Sequence, residues 1–309
     1  MLRFIIKRLL TMIPVILGIS FIIFLIMSLT PGNPVVLLLG EDASVEEIEQ
    51  LKEDMGLNDP VVVQYFNYMK KVVLHGDFGT SYISKVPVIE DLKGRLPTTI
   101  TLAVGSVILM VIIAIPIGAL SAVKQYSLVD TTTMLGAMIL CSMPSFFFGL
   151  LAMLIFSLRL KILPSMGADT LKHFILPWCT CCSVYLAQLI RMTRSNMLEV
   201  IRADYIRTAR AKGASEGSVI FLHALRNALL PVITIVGINF GMMLGGAVIT
   251  ENIFSLAGVG TMTVTAIRKH DTPGVMASLL FVAVMISVIN LIVDIIYTYV
   301  DPRLRSSLK

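Results

Sequence analysis

The sequence predicts an all-α polytopic membrane protein with six transmembrane helices. Three observations predict it. Of the 309 residues 56% are hydrophobic, whereas a soluble domain is nearer ~45–50% apolar. The apolar excess gathers in six blocks, each near or above the ~20 residues that a helix needs to cross a bilayer. Lys and Arg are biased toward one set of the segments that join those blocks, the pattern that membrane topology imposes.

Residues 9–29 form the first block, after Arg3, Lys7 and Arg8. A signal peptide also begins with basic residues, but its apolar region is only ~7–15 residues long. Here 21 residues run without a small-residue cleavage site into Thr30-Pro31-Gly32-Asn33-Pro34, so a retained helix is expected. Residues 31–97 read as an extramembrane segment. Ser44-Val45-Glu46-Glu47 is a capping-box signal for a short helix to Met55, stopped at Gly56. Asp59 and Pro60 open a second, with Asp59 at the N-cap and Pro60 at N1. Val63, Phe66 and Tyr68 would be its partly buried residues. Residues 75–81 form a turn-rich loop.

The second block is residues 98–122, with Pro116 inside it. The third is residues 131–158, interrupted by Cys141-Ser142-Met143-Pro144-Ser145. It reads as one kinked, tilted helix, with two re-entrant halves as the alternative. Residues 174–191 and 229–250 are the fourth and fifth blocks, residues 251–274 a loop, and residues 275–300 the sixth. In the fifth, Gly237, Gly241 and Gly245 recur every four residues and would let another helix approach closely. Packing within the chain comes ahead of contact with a partner subunit. The tail, residues 301–309, is basic.

Between the fourth and fifth blocks, residues 192–228 are polar, basic and punctuated. From Met197 to Lys212 good helix formers run without proline. Gly213 then stands where a C-cap belongs, since glycine accepts positive φ without steric cost. Ser215 can cap a second short helix with Glu216 near its positive end, and Pro231 falls near the start of the next apolar run. The expectation is helix, tight glycine turn, helix, held against the membrane surface. Fourteen Lys/Arg and five acids lie on the side of this segment and of both termini, against eleven and fourteen on the other. Both termini and residues 192–228 are therefore expected in the cytoplasm.

Several chemistries are excluded. Gly213-Ala214-Ser215-Glu216-Gly217 matches the nucleophile-elbow string, but a helix precedes it where the elbow needs a strand. Cys179 and Cys182 form a C-x-x-C inside a span, with no second ligand pair. Cysteine packs there as a small, mildly apolar residue. His75, His173, His223 and His270 are scattered. No G-x-x-x-x-G-K-[ST] loop is present, so ATP binding by that route is excluded. No catalytic constellation, metal site, cofactor or nucleic-acid partner is expected. The net charge of +5 is distributed as topology requires. Asp294 is the sharpest intramembrane charge, at a cost of ~2.5–3.5 kcal/mol on insertion scales. A structural pairing or a water-facing place near the exit comes ahead of a cargo contact for it. Ser142, Ser145, Gln188, Asn239 and Asn290 are further polar residues in spans that could line a pathway.

The strings D-Y-I-R-T-A-R-A-K-G (residues 204–213) and H-A-L-R-N-A-L-L-P (residues 223–231) resemble the cytoplasmic loop of ABC importer permeases of the peptide/nickel group. G-D-F-G-T-S (76–81), R-L-P-T-T (95–99), E-N-I-F-S-L-A-G-V-G (251–260) and D-P-R (301–303) resemble the same group. In the wider family pattern a Glu and an Ala stand where this chain has Arg207 and Thr208, and the proline stands at Arg226 instead of Pro231. The peptide/nickel branch shares these departures.

The resemblance implies a type I ABC importer permease fold. It also implies an ATPase-coupling segment comprising Tyr205, Arg207, Thr208, Ala209, Arg210, Ala211, Lys212, Gly213, Ala214, Ser215 and His223. The organisation it suggests is an N-terminal helix (1–30), an extracytoplasmic loop (31–97) and a permease domain (98–309), as in the B-type member of a permease pair. A second homologous permease in a heterodimer, two cytoplasmic ATPase subunits, an extracytoplasmic solute-binding protein and membrane lipid are the implied partners. The chain itself would be a non-catalytic translocation subunit in the cytoplasmic (inner) membrane. Short peptides are the expected cargo, nickel or a nickel chelate the alternative, and a stand-alone channel or secondary transporter the competing class.

Overall fold

A computed structural model describes residues 2–30, 34–40 and 43–300. The basic tail with its D-P-R string and the Pro31-Gly32-Asn33 break lie outside the described residues. Among the described residues the chain is helical throughout, and its only β pairing is an isolated bridge between Thr80 and Pro87. Five helices are long and apolar enough to cross a bilayer. They are α1 (Leu2–Leu29), α5 (Val88–Val123), α8 (Leu171–Ile201), the helix Glu216–Ile253 and α13 (Thr272–Val300).

The third apolar block is not one tilted helix. It is α6 (Leu128–Ser142) and α7 (Ser145–Ala152, continued by a π-helical turn Met153–Arg159), at 105° to each other. Proline explains the break. Pro144 has no N–H to donate, and it drives the preceding Met143 to an extended conformation, φ −91° and ψ 131°. The pair still passes from one face of the bundle to the other. At its start Asp130 is tied to Ser121 and Arg194, where α5 and α8 end. Beyond its end, the Gly167 amide donates to the Phe254 carbonyl, just past the end of the helix Glu216–Ile253. With this broken pair counted as one span, the described residues hold six candidate membrane spans.

Several smaller elements depart from the sequence expectation. α1 begins at Leu2 and α5 at Val88, because the flanking residues are good helix formers and Pro97 is absorbed in a membrane helix. The extramembrane segment adds α2 (Pro34–Leu39) to α3 (Val45–Asp54) and α4 (Val61–His75). Ser44 and Glu47 make the capping box of α3, and the Ser44 amide holds the Glu47 carboxyl below its usual range. In α4 the N-cap is Pro60, and the buried residues are Tyr65 and Met69. Val63 and Phe66 are exposed. The reason is the packing partner: Tyr65 and Met69 meet Phe24 of α1 and Met276 and Leu280 of α13, and the Tyr65 hydroxyl lies 2.7 Å from Ser20 Oγ.

The interior is built around α5, α8 and the helix Glu216–Ile253, with Leu102, Met110, Leu189, Val232 and Met243 in one buried cluster. Trp178 of α8 lies over Gly105 and donates from Nε1 to the Thr101 carbonyl at 3.0 Å. Residues 251–274 are not a simple loop. They contain α12 (Val259–Arg268). Glu251, fully buried, turns back and accepts from the Thr261 amide at 3.0 Å at the start of α12 and from Thr99 Oγ1 of α5 at 2.6 Å. A Cβ at Gly258 would lie 2.3 Å from the Glu251 carboxyl, so no side chain fits there. A carboxylate beside the free amides of a helix start is a favourable pairing. On the same face Asp271 accepts from Ser81 Oγ at 2.5 Å and from the Tyr82 amide at 3.0 Å, fastening the 77–84 loop to the start of α13.

On the opposite face Asp130 accepts from Arg194 Nε at 2.6 Å and Nη2 at 2.7 Å, from Ser121 Oγ at 2.5 Å and from the Tyr126 amide at 2.9 Å. Its side chain is only 5% exposed and that of Arg194 22%. Breaking such a pair leaves one uncompensated charge, at roughly 3 kcal/mol. Asp130→Ala is therefore expected to lower the thermal stability of the detergent-solubilised protein markedly, and Asp130→Ala with Arg194→Met to recover most of the loss. A second check concerns the glycine repeat. A Cβ at Gly237 would lie 2.2 Å from Val293 of α13, whereas none at Gly245 meets an atom within 4 Å. Gly237→Leu should cost about 1–3 kcal/mol by overpacking, with Gly245→Leu near neutral in the same melting assay.

Candidate coupling site

The segment after α8 is organised by one buried side chain. α8 stops at Ile201, and α9 (Asp204–Ala211) begins after Arg202 and Ala203. The single helix expected from Met197 to Lys212 is thus broken. The break lets α9 turn until its apolar residue Ile206 points inward. Ile206 is fully buried among Ala119 and Ala122 of α5, Met197 of α8, and Val219, Ala224 and Ala228. Tyr205, Arg207, Thr208, Arg210, Ala211 and Lys212 are exposed, and Ala209 is half-buried.

Gly213 ends α9 with φ +82°. The Ala214 amide donates to the Ala209 carbonyl at 3.2 Å and the Gly213 amide to Arg210 at 2.9 Å, the two bonds of a Schellman cap. Ala214 is half-buried beside Ala209. Arg210 Nε donates to Glu216 Oε1 at 2.8 Å across the turn, which links α9 to the next helix. Ser215 caps that helix, accepting from the Ser218 amide. α10 (Glu216–Ser218), a π-helical segment (Val219–Leu225) and α11 (Arg226–Ile253) then form one long helix. Pro231 is therefore inside a helix and not at its start. His223 is exposed within the π-helical segment, and its carbonyl accepts from Asn227 Nδ2 at 2.7 Å. At the other end of the segment, Arg202 Nη2 reaches Gln125 Oε1 in the α5–α6 turn at 3.1 Å.

The polar residues of the spans do not gather at one point. Ser142 is exposed at the end of α6, its hydroxyl donating to the Met138 carbonyl at 2.9 Å, and Ser145 is half-buried at the start of α7. Gln188 is exposed on α8. Asn239 is buried on α11, and its Nδ2 has no partner among the described residues. Asp294 on α13 pairs with Arg8 Nε of α1 at 3.1 Å, beside a cavity of about 340 Å³ that Asn290 also lines. Gly237 and Gly241 face Val293 and Asn290 of α13, and Gly245 is exposed. Sequence reasoning missed Glu251, Thr99, Asp130 and Arg194 as structural anchors. Glu251 stands in the E-N-I-F string, and its nearness to two glycines was the available signal.

Comparison with known proteins gives the chain a family. Residues 114–306 match the family described as the binding-protein-dependent transport system inner membrane component, and residues 1–103 match its N-terminal counterpart. This chain belongs to that family. Three relatives are matched over 99% of the chain. The dipeptide transport system permease protein DppB of Alkalihalophilus pseudofirmus is 41% identical, with its whole length covered. The oligopeptide transport system permease protein AppB of Bacillus subtilis is 43% identical, also over its whole length. The glutathione transport system permease protein GsiC of Salmonella choleraesuis is 39% identical, with 99% of its length covered. The chain is thus an ABC importer permease of the peptide/nickel group. The inward-facing MetNI methionine ABC transporter is a structural neighbour at TM-score 0.59 and 17% identity, covering 69% of this chain and 97% of the other. That likeness extends to the fold.

The glycine turn yields a local prediction. A Cβ at Gly213 would meet open space, so a substitution there is strained by φ and not by crowding. Gly213→Ala and Gly213→Trp should both cost about 1–2 kcal/mol of local stability. Faster hydrogen exchange at the Ala214 amide, of similar size in both variants, is the measurement that checks it.

Proposed function

We propose that this permease subunit translocates short peptides across the cytoplasmic membrane, driven by ATP hydrolysis in separate subunits that dock on α9. The observation that carries the reading is the division of labour within α9. Ile206 is sealed into the bundle while Arg207, Arg210 and Lys212 stand on the surface. A partner holding the basic side moves Ile206, which belongs to one buried cluster with residues of α5, α8 and the Val219–Ala228 stretch. The Schellman cap and the Arg210–Glu216 bridge keep the turn from yielding first. At the far face the Glu251 cluster ties α5 to α11 and α12. Motion applied at α9 is thereby returned as rocking of whole helices, which opens one face and closes the other.

The orientation follows from charge. Both termini and α9 are in the cytoplasm, since that side carries the Lys/Arg excess. The partners are a second, homologous permease in a heterodimer, two cytoplasmic ATPases and an extracytoplasmic solute-binding protein, with lipid around the helices. Peptide cargo is preferred to nickel because the relatives carry dipeptide, oligopeptide and glutathione names.

The test pairs docking with transport. Arg207→Glu with Lys212→Glu should weaken co-purification of the ATPase subunits about tenfold, two exposed ion pairs being worth roughly 0.7 kcal/mol each. Uptake of labelled dipeptide into ATP-loaded proteoliposomes should fall with it. Undiminished ATPase recovery and undiminished uptake would remove α9 as the docking element. Transport by the purified subunit alone would overturn the whole reading.

A further inference from the structure

Two arginines on α8 sit one turn apart and meet opposite fates. Arg194 is held on two nitrogens by Asp130. Arg191 has no carboxylate within ion-pair distance among the described residues. Its Nη2 lies 3.5 Å from Cys141 Sγ, near the end of α6. It is exposed, as are Gln188, Ser195 and Glu199 at three- and four-residue spacing, which makes one polar stripe along α8. The other faces of the helix at this level carry the buried Ala187, Leu189, Ile190 and Thr193.

An Arg near a membrane edge ordinarily reaches outward to water and headgroups. This one reaches the other way. α6 begins at the α9 face with Asp130, and Cys141 is three turns further along, toward the Pro144 break. The guanidinium is thus directed toward mid-span while remaining on the exposed surface. A charge so placed is costly against lipid and is stable only toward water or a counter-charge. Ser142, next in sequence to Cys141, and Gln188, one turn before Arg191, are both exposed and neutral, which favours a hydrated lining over a single complementary acid. A planar guanidinium pairs best with a carboxylate, on two parallel hydrogen bonds.

We propose that Arg191 is a carboxylate-recognition point on the aqueous path, taking the free carboxylate of a passing peptide. The proposal rests on the importer reading above and names the substrate group that this site sees. Asp130 leaves Arg194 electrically satisfied, so the stripe presents one open positive charge before the acid Glu199, two turns nearer the cytoplasm. An anion is drawn inward by the first and is not retained by the second.

The native thiol beside Arg191 provides the test. In the assembled transporter in proteoliposomes, Cys141 is reacted with an anionic and a cationic methanethiosulfonate, each rate taken relative to a free thiol. Cys141→Ser gives the background from Cys179, Cys181 and Cys182. The anionic reagent should react about tenfold faster than the cationic one, and Arg191→Gln should abolish that preference. Millimolar alanyl-alanine should slow the reaction, while its C-terminal amide should not. Equal relative rates in the native protein mean a guanidinium already neutralised by a partner subunit, and overturn the proposal. Absence of labelling by either reagent means a lipid-facing site and overturns it too, as does slowing by both peptides or by neither. ATP-driven dipeptide uptake in the same vesicles is read separately. Uptake without charge preference removes this site alone, and charge preference without uptake removes the cargo reading.

Discussion

A carboxylate buried away from water must find its partners within the protein, and the arrangement of these helices depends on how two carboxylates meet that constraint. Asp130 at one face and Glu251 at the other are both buried. Asp130 is surrounded by Arg194, Ser121 and the Tyr126 amide, drawn from three successive parts of the chain. Glu251 is met by Thr99, 152 residues earlier, and by the first turn of α12. Between these points the helices touch through apolar side chains, which attract without direction. In lipid such contacts have little hydrophobic preference for helix over acyl chain. Position along the bundle axis is therefore set largely by the polar ends.

Anchors of this kind allow a bundle to move as rigid pieces. α9 is joined to the pieces by Ile206 and limited by Gly213, and its basic face is left outside. A segment that spread its contacts over many weak points would absorb a push. Here one fully buried side chain and one left-handed residue define where the segment is fixed and where it turns. The π-helical stretch that follows, Val219–Leu225, adjoins Ile206 through Val219 and Ala224. The turn and the long helix are thus mechanically continuous. The contrast of Arg194 with Arg191 belongs to the same logic, since a satisfied charge holds structure and an unsatisfied one is available to a ligand.

Much of this was legible in the residues. The apolar blocks, the Ser44–Glu47 capping box and the glycine turn at Gly213 are local matters, decided within a few residues by propensity and hydrogen bonding. Boundaries were less legible. The Met197–Lys212 run contains no helix breaker, yet it splits at Arg202 because burying Ile206 outweighs the lost turn. Pro144 announced an interruption, but whether it made a kink or a 105° turn depended on what α7 found to pack on, Thr180 and Phe254. Val63 and Phe66 are as apolar as Tyr65 and Met69, and nothing local distinguishes the face that meets α1.

By itself the sequence determined the class of the protein: all-helical, membrane-embedded, six times crossing, with a basic punctuated segment between the fourth and fifth spans and family strings along its length. Those properties are sums or short-range patterns, and neither kind needs a partner in space. Only the tertiary structure decided which charges are satisfied. Asp130, Arg194, Glu251 and Arg191 look alike as isolated polar residues near span ends. What separates an anchor from an open charge is whether a distant part of the chain arrives within hydrogen-bond reach, and that is a property of the packed bundle alone.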